Sequence, residues 1–192
     1  MSQFNVEHLF GDAYLVHPNV HRDNRGQFHE TFNIKSLMDS PLSTQLKPIQ
    51  QINHSSSIAG TIHGMHFQKE HPQAKIVMVT RGAVIDFIQD IRLDSPTYGQ
   101  SIWVLLDDSD YNILYVPRGF SHGFIAIHDS DFVYFCDDIR YAGDEYGFNA
   151  KPLIEKYKSE WKETLGFDIE STDLIVSDRD KTLEEFKPIR NC

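Results

Sequence analysis

"AKIVMVTRGAVIDFIQDIR" (74–92) is the run that decides the fold class. Apolar and β-branched residues fill both halves, and Arg81-Gly82 divides them. That pattern reads as two strands joined by a hairpin-type turn. The same rhythm continues on both sides. "SPTYG" (95–99) is a turn, "SIWVLLDD" (101–108) and "YNILYVP" (111–117) are two further strands, and "GFIAIHDSDFVYFCDD" (123–138) gives two more around His128–Asp131. Upstream, "NHSSSIAGTIHGMHFQ" (53–68) reads as a polar strand edge, a turn and a strand. Short strands at this spacing predict an all-β sandwich or barrel of the jelly-roll type.

Two stretches break the rhythm. "IKSLMD" (34–39) predicts a short helix. "LIEKYKSEWKETLG" (153–166) places Leu153, Tyr157, Trp161 and Leu165 at helical spacing, with Gly166 as the stop. "DRDKTLEEFKP" (178–188) predicts a charged surface turn or short helix. The helical residues thus lie mainly C-terminal to the β core.

The 192 residues suit one domain, 1–192, large enough to bury a sizeable core. A net charge of −10 disfavours nucleic acid and anionic membrane surfaces, because phosphates would be repelled. It leaves room for a small phosphorylated ligand held by a local cluster of Arg and Lys. The two cysteines, Cys136 and Cys192, make no disulfide framework and fit a reducing compartment. "MSQFNVEHLFGD" (1–12) has no apolar core of signal-peptide length, and no run of 18 apolar residues occurs. The expectation is a cytoplasmic protein.

Several groups could carry chemistry. In "TIHGMHFQ" (61–68), His63 and His66 stand three apart, so a regular strand turns them to opposite faces, with Ile62, Gly64 and Gln68 beside His66. They share a face only if Gly64 marks a bulge. With Glu70 and His122 they are of the right types for Zn or Fe. With ten histidines in the chain, an ordinary polar strand position accounts for most of them. "VPRGFSHGF" (116–124) carries a Pro-x-Gly-x-x-His pattern that resembles the second motif of the cupin superfamily. In "HRDNRGQFHETFN" (21–33), Arg25 and Glu30 flank a Gly turn and Phe28. An Arg fork there suits phosphate or carboxylate, though taken alone a surface salt bridge is the preferred explanation. "QQINHSSS" (50–57) offers Gln51, Asn53 and His54 as a donor- and acceptor-rich patch for a polyhydroxylated ligand, or as a plain polar loop. Tyr134 in "DFVYFCDD" is of a type that ordinarily packs in a core.

The order of these motifs carries more than any one of them. Arg-Gly-x-Phe-x-Glu, Gln-x-Asn-x-Ser, Gly-x-His-x-Gln and Gln-x-Lys come first. "DIRLDSPTYGQ" (90–100), "VPRGFSHGF", a strand Tyr and "SDRD" (177–180) follow. From about Leu15 to Asp180 the chain resembles the dTDP-4-dehydrorhamnose 3,5-epimerase family, cofactor-free enzymes on a cupin-type jelly roll. The resemblance implies a nucleotide-diphosphate 4-keto-6-deoxy sugar as substrate, inversion at C3, C5 or both, no cofactor or metal, and a homodimer with sites shared across its interface. It implies a place in deoxysugar biosynthesis for a surface polysaccharide such as lipopolysaccharide or for a glycosylated product. It assigns His66 as base, Asp180 as its orienting carboxylate, Tyr134 as the acid on the opposite face and Lys75 as the enolate-stabilising cation. His122 corresponds to a ligand-contacting histidine. Arg25, Glu30, Gln51 and Asn53 correspond to nucleotide- and phosphate-contacting positions, the first two in reach of a partner subunit.

Two positions depart from the family pattern. The family reads Leu-Arg-Gly-Leu-His where this chain has "IHGMH", so His63 replaces an arginine that would grip phosphate. A Tyr-Tyr pair is replaced by Ile139 and Arg140, where Arg140 can stack or bind phosphate and Tyr141 can substitute by a shift of register. Both changes concern nucleotide recognition and spare the proton-transfer set. The competing readings are a metal-dependent cupin using His63, His66 and His122, a related 4-keto sugar isomerase, and a non-catalytic sugar-nucleotide binder.

Overall fold

The computed structural model describes residues 4–45 and 47–188; Cys192 and the first three residues lie outside that set. The described strands are β1 (Phe4–His8), β2 (Tyr14–Pro18), β3 (His21–Asp23), β4 (Gly26–Phe28), β5 (Gln51–Ser57), β6 (Thr61–Gln68), β7 (Lys75–Arg81), β8 (Ala83–Asp90), β9 (Ser101–Asp107), β10 (Ile113–Val116), β11 (Phe120–Ala126), β12 (Ser130–Cys136), β13 (Glu145–Gly147) and β14 (Ile175–Val176). Helices α1 (Ile34–Met38), α2 (Lys151–Leu165) and α3 (Asp178–Lys181) accompany them.

The strands form two sheets. The first runs β1-β2-β10-β7-β12-β5 and the second β13-β6-β11-β8-β9, with β14 parallel to β6. Strands β3 and β4 form a separate hairpin. Alternate residues of β7 and β8 face two different apolar surroundings. Val77, Val79, Val84 and Ile88 point between the sheets, with Leu114, Val116, Phe124 and Phe132. Ile76 and Met78 point outward beneath Leu37 and Leu42, while Ile85 and Phe87 point outward beneath α2. Both faces are buried, which is why these strands read as unbroken apolar runs. The arrangement is a jelly roll of the cupin type with a few short helices.

The hairpin expected at Arg81-Gly82 does not form. Strands β7 and β8 lie in different sheets, as do β9 and β10, and β11 and β12. Gly82 turns a corner instead of closing a ladder. Its N–H donates to the Asp108 carboxylate at 2.8 Å, and a Cβ there would meet the Asp129 carbonyl oxygen at 2.2 Å. The neighbouring Ala83 N–H donates to Ser130 Oγ at 3.0 Å. Three chain corners are thus tied to one another, and each strand pairs with a distant one.

The helical expectations hold, with α2 starting two residues earlier than its apolar pattern. Leu153, Tyr157 and Trp161 form its buried stripe on the outer face of the second sheet, and Ile154 widens it. Burial of side chains such as Leu153 and Ile154 contributes about 1.5–3 kcal/mol each. Gly166 ends the helix at φ +66°, and its N–H donates to the Trp161 carbonyl.

Candidate active site

The bulge that the sequence left open is present. Across β6 and β11, His66 lies opposite His122 and His63 opposite Phe124. Two residues of β6, Gly64 and Met65, therefore face the single Gly123 of β11. The extra residue restores parity, so His63 and His66 both point between the sheets. His63 packs on the Phe124 ring, 4.6 Å between centroids. Ile62 and Met65 go to the outer cluster beneath α2, so Ile62 does not share the face of His66. Glycine is required at 64: φ is +96°, and a Cβ would stand 2.6 Å from the His122 carbonyl oxygen.

Asp180 secures this bulge from the far end of the chain. Its Oδ2 accepts the Gly64 N–H at 3.3 Å, and its Oδ1 lies 2.7 Å from His66 Nε2. Strand β14 brings the chain alongside β6, and Ser177 caps α3 by accepting the Asp180 N–H at 3.1 Å. Asp180 is buried while His66 is half-buried. The carboxylate accepts, so Nε2 carries the hydrogen and Nδ1 keeps its lone pair.

Tyr134 comes from β12 of the facing sheet. It lies opposite Asn53 of β5 on one side and Val77 of β7 on the other. Its hydroxyl lies 3.3 Å from Ser55 Oγ, and burial pushes its pKa up to about 12. Lys75 starts β7 opposite Cys136, and burial pushes its ammonium below the ordinary lysine range. His66, Lys75, Tyr134, Asn53 and Arg140 all line one open cavity between the sheets. His66 on the second sheet and Tyr134 on the first thus approach this space from opposite walls.

The remaining expected residues fall around this cavity. His122 is buried behind it, with Nε2 2.8 and 3.0 Å from the Asp86 carboxylate oxygens. Asp86 was not predicted. Its signal is a single acidic residue inside "AVIDFI", with no exposure at all and a carboxyl that burial pushes up. Gln51 is bonded to Asn53 at 2.8 Å and accepts the Arg140 N–H at 2.8 Å, which joins the polar patch to the cavity mouth. His63 Nε2 lies 3.0 Å from Ser57 Oγ, and burial, then the neighbouring His66, holds its imidazole below the ordinary range.

Arg25 and Glu30 are not brought to the cavity of this chain. Arg25 is exposed on the β3–β4 hairpin and paired with Asp23 at 2.6 Å, while Glu30 accepts from Asn33 at 3.1 Å. The hairpin belongs to neither large sheet and is tied instead to the loop before β10, where Arg22 donates to the Ser109 carbonyl and Gln27 to the Tyr111 hydroxyl. Tyr141 stacks on His71 at 4.0 Å instead of facing the cavity. Glu70 is exposed beside Lys69, and among the described residues no three His, Cys, Asp or Glu side chains converge as a metal-ligand set.

"DIRLDSPTYGQ" is a structural clamp. Asp90 has no exposed surface, and burial alone would raise its pKa. Hydrogen bonds from Arg92, Ser95 and Thr97 outweigh that and hold it at about 2. The guanidinium of Arg92 lies 4.8 Å from the Phe120 ring centroid, and its stem fills the space beside Gly119. Gly119 and Phe120 form part of the cavity wall.

A carboxylate-backed histidine, a phenol from the facing sheet and a lysine, gathered in the opening of a cupin jelly roll, define a site suited to moving protons on a small polar ligand. The comparisons place it further. The family model for dTDP-4-dehydrorhamnose 3,5-epimerase matches residues 8–188, and the chain belongs to that family. It is 34% identical, over 99% of its length and 97% of the relative, to the dTDP-4-dehydrorhamnose 3,5-epimerase of Methanothermobacter thermautotrophicus. It superposes on the Bacillus anthracis dTDP-4-dehydrorhamnose 3,5-epimerase, solved with TDP and PPi bound, with a TM-score of 0.79 and 34% identity over 95% of this chain and 99% of that one. The Legionella pneumophila dTDP-6-deoxy-D-glucose-3,5-epimerase, solved with dTDP-4-keto-L-rhamnose, gives a TM-score of 0.79 at 28% identity over 95% and 92%.

Proposed function

We propose that this enzyme inverts C3, C5 or both of a nucleotide-diphosphate 4-keto-6-deoxy sugar through an enolate, without a cofactor. A carbon-bound proton beside a ketone is acidic only because the C4 carbonyl can accept the charge. The site therefore needs a base, a donor for the enolate oxygen and an acid on the other face. His66 takes the proton on Nδ1, and the C–H electron pair moves into the C4 carbonyl. Asp180 stabilises the imidazolium that results. Lys75 donates to the enolate oxygen. Tyr134 then delivers its phenolic proton to the same carbon from the opposite face, and the carbonyl reforms. Tyr134 is protonated at neutral pH as any phenol is, burial raises its pKa further to about 12, and a carbanionic carbon is basic enough to take its proton.

The observation that carries this reading is the placement of His66, backed by Asp180, and Tyr134 on opposite walls of one cavity with Lys75 lining it. Asn53, Gln51, Arg140, the buried His122 and the half-buried His63 serve substrate placement. Arg25 and Glu30 serve the cavity of a second copy in a homodimer. Phe28, exposed at 68% on the same hairpin, is the kind of apolar side chain such a contact would cover. Among the described residues no helix is long and apolar enough to cross a membrane. We place the enzyme in the cytoplasm, as one domain acting in deoxysugar biosynthesis.

The test is incubation with a 4-keto-6-deoxy sugar nucleotide in deuterated water. Solvent deuterium should appear at C3, C5 or both, with inverted product. No incorporation from dTDP, CDP, GDP and UDP forms would defeat the proposal. Migration of the carbonyl without inversion would make the protein a keto-sugar isomerase.

A further inference from the structure

Each inversion leaves the two proton carriers out of place. His66 has gained a proton on Nδ1, Tyr134 has given one up, and the sugar departs with its count unchanged. The phenolate must regain a proton before it can serve again. Burial holds the Tyr134 phenol at about 12, so the phenolate takes a proton readily, and recharging is limited by the path that brings one. His66 does not bring it directly. It stands on the second sheet, on the other wall, with its Nε2 engaged by Asp180 at 2.7 Å.

The surroundings of the phenol single out one polar neighbour. The Phe132 ring lies 4.7 Å from that of Tyr134, and Phe132 stacks in turn on Phe124 at 4.6 Å. The His122 ring stands edge-on at 6.4 Å, with its Nε2 held by Asp86. Among the described residues, Ser55 Oγ, at 3.3 Å, is the hydrogen-bond partner of the Tyr134 hydroxyl. Register brings it there. Asn53 lies opposite Tyr134 and Ser55 opposite Phe132, so Ser55 is the diagonal neighbour of Tyr134 on the same face. Asn53 and Tyr134 line the cavity, and Ser55 lies one step beyond them along β5. Strand β5 is the outer strand of the first sheet, and Ser55 on it is half-buried, within reach of water. A serine hydroxyl has one donor and two lone pairs. It can give its proton to the phenolate while it takes another from water.

We propose that Ser55 is a proton relay that recharges Tyr134 from solvent after each inversion. The inference rests on the epimerase reading given above. The protons balance. Ser55 Oγ passes its hydrogen to the phenolate oxygen and takes one from water, and the hydroxide so formed is neutralised by the proton that His66 Nδ1 releases once the sugar has gone. Only O–H and N–H bonds form and break, and nothing is oxidised or reduced. Ser55 acts through Tyr134 and not on the sugar, so it is a positioning residue. A sugar inverted at two carbons would use the relay twice.

The test compares full-length Ser55→Val, which removes the hydroxyl, with Ser55→Thr, which keeps it at the same bulk; both side chains suit a strand. The substrate is a dTDP 4-keto-6-deoxy sugar, followed by rapid quench and in the steady state. In Ser55→Val the first inversion at each site should proceed near the wild-type rate, while kcat falls about 100-fold, the low end for loss of a positioned proton-transfer group. The ratio kcat/KM should hold, because recharging follows the chemistry. Added imidazolium buffer should restore turnover of Ser55→Val in proportion to its concentration, and Ser55→Thr should recover most of it without buffer. Wild-type turnover in Ser55→Val, with deuterium exchange intact in the wild type, overturns the relay and leaves the epimerase reading standing. Loss of the first inversion along with later ones, without buffer rescue, means that Ser55 only holds the ring, and overturns the relay as well. Equal losses in the Val and Thr variants do the same by assigning the effect to bulk. If the wild type itself exchanges no deuterium with dTDP, CDP, GDP and UDP forms, the epimerase reading fails and takes the relay with it.

Discussion

Gly64 and Asp180 are joined by a hydrogen bond of 3.3 Å from the glycine N–H to Oδ2, while Oδ1 of the same carboxylate lies against His66. One buried side chain thus fixes both the backbone irregularity that turns His66 inward and the ring that the irregularity delivers. Replacing Gly64 by Ala tests this coupling. The new Cβ would stand 2.6 and 2.8 Å from backbone atoms of β11, at a positive φ. We expect a loss of about 1–3 kcal/mol in stability from backbone strain. The deuterium-exchange rate should fall about 100-fold, as for a displaced reacting group. Normal exchange in a less stable variant would detach the bulge from base alignment.

Asp180→Asn keeps the side-chain volume and an oxygen for the Gly64 N–H, so the fold should survive. The asparagine cannot hold the imidazolium. In other His–Asp pairs that change costs on the order of 10⁴-fold in kcat, and a loss of about 10³- to 10⁴-fold is expected here. A circular dichroism melt alongside the exchange assay separates this from unfolding. Wild-type turnover in the variant would remove Asp180 from the mechanism.

Tyr134→Phe should separate the two half-reactions. Proton removal by His66 needs no phenol, so exchange at the original face should persist while inverted product falls. The pH dependence has a definite sign. The phenol is raised from its ordinary value to about 12, so the acid form survives as pH rises through 10 and is lost only near 12. An alkaline decline in inversion centred well below that range would point to a different acid, and so would inversion at the normal rate in the Phe variant.

Asp90 should govern acid stability. Its folded-state carboxyl is held at about 2, below the ordinary carboxylate range, so its contribution is present above pH 4 and lost as pH falls through 2. Asp90→Asn breaks a buried pair with Arg92 and should cost about 3 kcal/mol at pH 7. Melts taken from pH 7 downward should show the gap between variant and wild type closing toward pH 2. A gap independent of pH would mean that the aspartate acts through shape alone.

The strands themselves were plain in the sequence, because apolar runs broken by Arg81-Gly82, "SPTYG" and "DDSD" leave few other readings. Their pairing was not. A glycine that turns a sheet corner looks the same locally as one that closes a hairpin, and the corner at Gly82 is decided by Asp108, Asp129 and Ser130, far along the chain. The Gly64 bulge was legible as an option and was fixed only by Asp180. His66, Tyr134, Lys75 and Asn53 were singled out by the order of motifs along the chain and not by any one motif, and they line one cavity. Asp86 was missed because it matters through His122, 36 residues along the chain.

The corner-turning topology sets the order in which the molecule becomes competent. The carboxylate behind His66 lies 114 residues further along the chain, and β5 finds its partner only when β12 has been made. Contacts this distant close late, and domains dominated by them fold on the millisecond-to-second scale. A chain leaving the ribosome therefore carries every described strand of the sandwich before it carries the carboxylate that holds His66. On the proposed mechanism catalysis begins only when α3 docks, so activity reports the arrival of Asp180 at β6.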